Sequence, residues 1–189
     1  MARSGSCRII GGVWRGRKIS FDDAKGLRPT TDRIRETVFN WLQFELANSV
    51  CLDCFAGSGA MGFEAASRGA ASVVMLDNNR ATVANLKANI GLLVANTVQL
   101  EMVDTLRWLQ QTKAKQQAFD IVFIDPPYQS DLLEKTCEQL EKGEWLRAQT
   151  KIYLEHAVND KINTPPSWTC LKSKQAGQVA YKLFSKESL

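Results

Sequence analysis

The residues Asp125, Pro126, Pro127 and Tyr128 form the segment whose chemistry can be interpreted most directly. The two prolines stiffen the backbone and remove two amide donors. The acceptors that remain are the Asp125 carboxylate and the Pro126 carbonyl, which stand beside an aromatic ring. Together they can accept both hydrogens of an exocyclic amine, draw the nitrogen toward tetrahedral geometry and favour the charge that develops as it attacks an electrophile. Tyr128 can stack on the ring that carries the amine, although a strand-ending turn with a packed tyrosine would give the same four residues.

A glycine-rich loop lies earlier in the chain, between a predicted strand and a predicted helix. Residues 57–62 follow the pattern G-x-G-x-x-G, and Asp77 follows Gly57 by twenty residues, at the end of the next predicted strand. The glycines allow the backbone to approach a ligand closely, and the aspartate can accept hydrogen bonds from both hydroxyls of a ribose. The loop by itself fits a dinucleotide as well as S-adenosylmethionine. Asp77 would otherwise cap the helix predicted to begin near Arg80.

Two further carboxylates favour S-adenosylmethionine, together with residues 125–128, which we call the amine-binding segment. Asp53 precedes the glycine loop, where it can bind the amino-acid portion of that cofactor but would repel a diphosphate. Asp104 follows the third predicted strand, where it can accept a hydrogen bond from the adenine amine beside the Thr105 backbone. The alternatives are that Asp53 caps the loop and that Asp104 caps a helix beginning at Thr105. The predicted cofactor contacts are Asp53, Phe55, Ala56, Gly57, Ser58, Gly59, Asp77, Asn78, Asp104 and Thr105.

Alternating strands and helices must position these groups. After a helix predicted over residues 32–47, apolar strands are predicted at 50–55, 72–77, 97–103, 119–125 and 151–156, with helices between the first four and before the fifth. Strands near 168–172 and 179–184 flank a turn and are expected to pair as a C-terminal antiparallel hairpin. This alternation predicts an α/β fold, with a mostly parallel seven-stranded sheet covered by helices on both faces. The candidate residues follow strand ends, where such sheets bind ligands.

Positive charge is concentrated near the beginning of the 189-residue chain. Residues 1–36 contain nine Lys and Arg and four Asp and Glu, a net charge of +5, whereas the remainder contains fifteen and sixteen, a net charge of −1. A basic segment beside a nearly neutral body suggests a polyanionic partner such as nucleic acid, or else a solvated tail.

Composition argues against several other classes of protein. Five cysteines without a secretion signal argue against a disulfide framework, and Cys51 and Cys54, three residues apart on a strand, are expected to point to opposite faces. The only histidine, His156, has no second histidine or cysteine near it in the sequence, so we expect a packed or partly exposed side chain and no metal. No apolar run is long enough to span a bilayer, and no signal-peptide pattern is present. We expect a cytoplasmic monomer without a membrane partner.

Motifs along nearly the whole chain resemble a known enzyme family. They lie at residues 8–12, 28–42, 52–59, 125–128 and 177–181. Through them the chain resembles the class I Rossmann-like amino-methyltransferases, and especially the RsmD family, which methylates N2 of guanine 966 in 16S ribosomal RNA. The resemblance implies S-adenosylmethionine as cofactor, S-adenosylhomocysteine as product, and 16S rRNA within a small ribosomal subunit or assembly intermediate as partner. Asp77 stands where this family often has glutamate.

The resemblance also implies a division of roles along the chain. Residues 1–30 would form a basic RNA-binding extension and residues 31–189 the methyltransferase domain, with residues 28–42 near the cofactor and the incoming RNA. Asp125 to Tyr128 would be catalytic. The predicted phosphate contacts are Arg8, Arg15, Arg17, Arg28, Arg33 and Arg35. Arg33 and Arg35 could equally pair with Glu36 or face water on their helix.

Three other functions fit parts of the sequence. A DNA adenine-N6 methyltransferase shares the Asp-Pro-Pro-Tyr segment, but the chain is small and shows no separate target-recognition domain. An NAD-dependent oxidoreductase shares the glycine loop, but no hydride-transfer constellation accompanies it. A non-catalytic RNA-binding protein with the same fold would not be expected to keep the amine-binding segment intact.

Overall fold

A seven-stranded sheet forms the centre of the protein in a computed structural model that describes residues 4–22, 31–111, 118–127 and 131–187. The helices are α1 (Asp32–Trp41), α2 (Ala60–Ser67), α3 (Arg80–Leu93), α4 (Thr105–Gln111) and α5 (Leu132–Lys142). The strands are β1 (Ser4–Arg8), β2 (Lys18–Asp22), β3 (Val50–Asp53), β4 (Ser72–Asp77), β5 (Val98–Met102), β6 (Phe119–Ile124), β7 (Leu146–Ala157), β8 (Trp168–Ala176) and β9 (Val179–Lys186).

The strand order in this sheet is β5-β4-β3-β6-β7-β9-β8. β3 pairs in parallel with both β4 and β6, while β9 is antiparallel to its neighbours β7 and β8. This confirms the predicted mostly parallel sheet with a C-terminal antiparallel hairpin. The order reverses between β3 and β6, so the loops that follow these two strands meet at the edge where β3, β4, β5 and β6 end. We call this edge the carboxyl edge.

The two faces of the sheet bury separate clusters of apolar side chains. One cluster joins α1, α2 and α3 to the sheet through residues such as Phe39, Phe63 and Leu86. The other joins α4 and α5 through residues such as Leu109 and Leu140. Helices therefore cover both faces, as predicted.

Cys51 in β3 and Cys54 just after it show the same packing on two faces. Cys51 belongs to the cluster beneath α1, whereas Cys54 belongs to the cluster beneath α4 and α5. This confirms that the two thiols point to opposite faces and cannot share a metal or a disulfide. Among the described residues, no group of three side chains that could bind a metal comes together.

The N-terminal strands β1 and β2 form a separate antiparallel hairpin. Its apolar residues Ile9 and Ile19 are buried in the cluster that also contains α1 and β3. The hairpin is therefore packed onto the main sheet domain through α1 and α3. In the described ranges, no helix is long and apolar enough to cross a membrane.

Two elements differ from their predicted lengths by six residues. The first helix was predicted over 32–47 but ends at Trp41, and turns that follow it still bury Leu42 and Leu46. The helical spacing of apolar residues extends beyond α1 because the turns that follow the helix also direct Leu42 and Leu46 into the core. β7 begins at Leu146 rather than at 151, since Leu146 pairs with Phe119 across an irregularity in the ladder.

Candidate active site

The glycine loop connects β3 to α2 at the carboxyl edge. Gly57 and Gly59 adopt positive φ angles of 49° and 79°, a region that favours glycine. A Cβ on Gly59 would lie 2.5 Å from a Phe63 ring carbon, so the position leaves no room for a side chain. The Ala56 N–H donates to the Leu76 carbonyl at 2.9 Å, which ties the loop to the end of β4. The loop is thus held in a defined conformation beside the next strand end.

Asp77 ends β4 and holds this loop from the other side. Its carboxylate accepts hydrogen bonds from the Gly57 N–H at 3.0 Å and from the Asn79 N–H at 2.8 Å. Burial raises the pKa of Asp77, and the two backbone donors oppose that rise. Asn79, not Asp77, caps α3, since its side chain accepts from the Ala81 and Thr82 N–H groups. The interpretation of Asp77 as a helix cap is therefore wrong, and the residue belongs to the loop.

Asp53 ends β3 directly below the loop and is almost fully buried. Its carboxylate accepts the Gly62 N–H at 3.1 Å, in the first turn of α2. Burial raises the pKa of Asp53 to about 7, even though the Gly62 and Phe55 backbone groups stabilise the charged form. Asp53 therefore does cap the loop and helix, and it is poised to change protonation near neutral pH.

Asp104 and Thr105 follow β5 and begin α4. The Asp104 carboxylate accepts the Arg107 N–H at 2.9 Å, so it caps this helix. The buried Thr105 hydroxyl donates to the Cys54 carbonyl and ties α4 to the end of β3. The Thr105 hydroxyl is thus engaged in a hydrogen bond within the protein, so its backbone is the group that a ligand could contact.

Three carboxylates thus stand at neighbouring strand ends: Asp53, Asp77 and Asp104. Acceptors of this kind suit a ligand that brings hydroxyl and amino groups, and they repel a diphosphate. The side chains present therefore fit S-adenosylmethionine better than a dinucleotide. Phe55, Gly57 and Asn78 line the same loops with partly or fully exposed surface, whereas Ala56, Ser58 and Gly59 are buried.

Residues 125–127 of the predicted amine-binding segment follow β6 beside the glycine loop. Phe123 pairs with Asp53 across the two strands, and the Cys54 N–H donates to the Phe123 carbonyl at 3.0 Å. Asp125 comes two residues later and is half-buried, followed by a buried Pro126. Pro127 is exposed, and Tyr128 lies outside the described residues. The fold therefore brings the predicted acceptors next to the predicted cofactor loop.

Arg35 does not face solvent, and its prediction as a phosphate contact is corrected here. Its side chain is fully buried, and Nη2 donates to the Arg8 carbonyl at 2.8 Å and to Asp32 at 2.6 Å. Its Nη1 lies 3.6 Å from the buried Glu64 carboxylate. The guanidinium joins the N-terminal hairpin to α1 and α2 and is buried between them. It therefore cannot contact an RNA phosphate.

The remaining predicted arginines are spread over the molecule. Arg15 and Arg17 are exposed, but their loop packs on the C-terminal ends of α2 and α3, where Val13 donates to the Ser67 carbonyl and Arg17 to the Leu92 carbonyl. Both helices begin at the carboxyl edge, and α2 alone spans eight residues, or about 12 Å. The structure therefore places these two arginines at the edge opposite the candidate site.

Arg8 and Arg33 are exposed on β1 and on the first turn of α1, and Arg28 lies outside the described residues. His156 is buried near the end of β7, where burial lowers its pKa and Nδ1 contacts the Ala157 carbonyl at 2.8 Å. A packed or partly exposed histidine was predicted, and the structure shows a packed one.

Two features were not predicted from the sequence. Glu64 in α2 accepts the Ile10 and Gly11 N–H groups, each at 2.8 Å, and no local pattern distinguishes it from an ordinary helical glutamate. The C-terminal hairpin from 168 to 186 carries four lysines and no acid, a signal that was hidden in the near-neutral average of residues 37–189. A charge count by element would have found it.

Comparisons with known proteins agree with this geometry. A family model described as conserved hypothetical protein 95 matches residues 7–185. The chain is 45% identical over 186 residues to ribosomal RNA small subunit methyltransferase D of Escherichia coli K12, covering 98% of this chain and 92% of that protein. It is 42% identical over 182 residues to the protein of the same name from Haemophilus influenzae, covering 95% and 94%. The solved structure of the putative methyltransferase yhhF from Escherichia coli superimposes with a TM-score of 0.89 at 42% identity, covering 97% and 99%.

Proposed function

The chain belongs to the family described as conserved hypothetical protein 95, and on this premise we propose that it transfers a methyl group from S-adenosylmethionine to the exocyclic N2 amine of a guanine in 16S rRNA. The guanine would be position 966, as the sequence resemblance implies. The observation that carries the proposal is the position of Asp125 and Pro126, which follow β6 beside the glycine loop of β3. The names of the rRNA methyltransferases to which the chain is similar support the same substrate.

The cofactor would lie along the three acidic strand ends. Asp77 would accept hydrogen bonds from the ribose hydroxyls, and Asp53 would bind the amino-acid portion directly or through water. Asp104 and the Thr105 backbone would meet the adenine. When bound, S-adenosylmethionine supplies a methyl group activated by its positively charged sulfur. The loop residues Phe55 to Gly59 and Asn78 would complete this site.

The chain's own contribution to the reaction is to position the amine. The Asp125 carboxylate and the Pro126 carbonyl accept its two hydrogens, which aligns the nitrogen lone pair with the methyl carbon. The nitrogen would accept the methyl group that the cofactor supplies, and the proton it gives up would leave along its hydrogen bond to the Asp125 carboxylate. Acceptors stabilise the positive charge that grows on nitrogen during attack. Tyr128 would stack on the guanine, and Pro127 would stiffen the segment.

RNA would be held by cations and presented as an unstacked base. Arg8 and Arg33 offer exposed guanidinium groups, and Arg28 is retained as a proposed contact. Arg15 and Arg17 would contact RNA that extends to the opposite edge of the sheet. A base must leave its stack to reach a pocket at the carboxyl edge. We propose that the protein acts as a monomer in the cytoplasm on a small ribosomal subunit or assembly intermediate.

A labelling experiment tests this proposal. The protein is incubated with tritiated S-adenosylmethionine and with small-subunit particles lacking the modification, with deproteinised rRNA, or with DNA, and label is mapped to nucleosides. N2-methylguanosine in rRNA is the expected result, and comparison of particle with RNA defines the true substrate. Label found only in DNA adenine would contradict the proposal.

Asp125→Ala tests the assigned chemistry. It should lower turnover by about 10²- to 10³-fold, since one of the two acceptors is lost, while S-adenosylhomocysteine and RNA still bind. Asp120→Ala is the matched control, because Asp120 lies at the other end of the same strand and contacts Val50 and Arg147 instead. Unchanged turnover in Asp125→Ala would contradict the role of this carboxylate.

A further inference from the structure

The strand β8 is the outermost strand of the sheet, and its side chains from 169 to 175 are all exposed. Only its first residue, Trp168, is buried, and the Trp168 indole N–H donates to Glu141 of α5 at 2.9 Å. The β8–β9 hairpin carries four lysines and no acidic residue between 168 and 186. Lys186 pairs with Glu141 of α5 at 3.2 Å, and an exposed edge of this kind is kept soluble by lysines such as Lys172 and Lys174.

Two of these lysines face the side of the sheet that carries α1. Lys172 is in register with Leu183, and Lys174 is in register with Tyr181. Leu183 and Tyr181 belong to the cluster that packs beneath α1. Because paired residues point to the same face, Lys172 and Lys174 lie on that face as well. Their Cα atoms are about 7 Å apart along the strand.

An aromatic side chain completes the surface. Trp41 at the end of α1 is half-buried and stacks on Tyr181, with ring centroids 5.6 Å apart and an interplanar angle of 28°. The Lys174 ammonium lies 6.0 Å from the centroid of the Trp41 ring. The indole is therefore held at a fixed angle beside a positive charge. We name Trp41, Lys172 and Lys174 the α1–β8 surface.

The α1–β8 surface is level with the amine-binding segment. Lys174 is in register with Tyr181, which is in register with Glu155 on β7. The residue before Glu155 pairs with the last residue of β6, so Asp125 continues the same row. Three strand spacings separate the row's ends, which amounts to about 14 Å. About four stacked nucleotides span that distance at about 3.4 Å each.

We propose that the α1–β8 surface binds the single-stranded RNA that flanks the target nucleotide, with a base on Trp41 and phosphates on Lys172 and Lys174. This inference rests on the proposed function, because it names how the same substrate is held. A partly exposed indole beside lysines is the arrangement by which proteins bind unpaired nucleotides. At about 3.4 Å per stacked nucleotide, the spacing of the two lysines suits phosphates two nucleotides apart.

The first test replaces the two lysines. Lys172→Ala/Lys174→Ala should raise KM for small-subunit particles about 5- to 30-fold at about 0.15 M salt, with kcat unchanged, since two phosphate contacts are lost. The slope of log KM against log salt should fall by about 1.4 to 1.8. Lys135→Ala/Lys142→Ala is the matched control. Both lysines are exposed on α5, which covers the opposite face of the sheet, and this double variant loses the same charge.

Trp41 tests the stacking contact separately. Trp41→Leu should raise KM about fivefold or more, whereas Trp41→Phe should stay within about threefold of wild type because a ring remains. Thermal melting of both variants shows whether a loss comes from unfolding instead. Retention of wild-type KM by the β8 lysine variant, within twofold of the α5 control, would overturn the inference. If the wild-type protein fails to label rRNA, the proposed function fails. If it labels rRNA and the β8 and α5 lysine variants have the same KM, only this inference fails.

Discussion

Replacing Glu64 by glutamine perturbs the buried cluster that joins the N-terminal hairpin to α2. The fully buried carboxylate accepts the Ile10 and Gly11 N–H groups at 2.8 Å, and Arg68 Nε donates to it at 2.7 Å. Arg35 lies 3.6 Å away and is itself fully buried. Glutamine keeps one acceptor oxygen but turns an NH₂ group toward these donors. It also leaves the charge of Arg35 compensated by Asp32 alone.

The expected cost follows from these contacts. A buried N–H that loses its partner costs about 1–3 kcal/mol, and removing one member of a buried ion pair costs about 3–5 kcal/mol. Arg35 keeps Asp32 and the Arg8 carbonyl, so we take the low end of each range and expect about 4 kcal/mol. For a chain of this length that lowers Tm by about 8–16 °C.

Urea unfolding followed by circular dichroism measures this loss. Glu138→Gln is the matched control, since Glu138 and its partner Lys142 are exposed and the pair should contribute about 0.5 kcal/mol or less. Arg35→Met should cost at least about 1 kcal/mol less in the Glu64→Gln background than alone, because the two residues interact. A loss below about 1 kcal/mol for Glu64→Gln, or strict additivity with Arg35→Met, would refute the reasoning.

Four further outcomes follow from the strand ends and the thiols. Because burial raises the pKa of Asp53 to about 7, binding of a ligand with a cationic amino group should release protons near pH 7. Calorimetry in buffers of different ionisation enthalpy measures the release, and Asp53→Asn should abolish it; persistence in the variant would exclude Asp53. The folded state also binds this proton more tightly than the unfolded state. The stability of wild type relative to Asp53→Asn should therefore be highest at acidic pH and fall as pH rises through about 7; a flat difference from pH 5 to 8 would argue against it. Asp77→Asn should weaken S-adenosylhomocysteine binding about tenfold or more, since the Gly57 loop and the ribose site both lose charge-assisted hydrogen bonds; equal affinity in calorimetry would remove Asp77 from the site. Thiol reagents should label the exposed Cys170 first and spare Cys51 and Cys54, which are buried with raised pKa values; rapid labelling of either one in the native protein would contradict the two-sided packing.

The candidate site was predictable because its residues follow strand ends. In a parallel sheet, residues that end neighbouring strands lie together whatever the sequence distance between them. Asp53, Asp77 and Asp125 could therefore be grouped from strand patterns alone. Their hydrogen bonds could not, because the Gly62 and Gly57 donors depend on the path of the loop.

The charged side chains were less predictable, since charge alone does not show whether a residue is exposed. Arg35 was assigned to RNA but is enclosed by Asp32 and Glu64, which approach it from two helices. Arg15 and Arg17 are exposed yet lie at the opposite edge, because α2 and α3 run away from the site.

Local patterns in this sequence determined the order of elements, the parallel sheet, the glycine loop and the stiff turn at Pro126 and Pro127. These depend on the period of apolar residues and on backbone preferences, which neighbouring residues decide. Only the tertiary structure decided that Glu64 anchors the N-terminal hairpin and that Trp41 meets Lys174. Both contacts join residues more than fifty positions apart, and the packing of α1 and α2 on one face of the sheet is what brings them together.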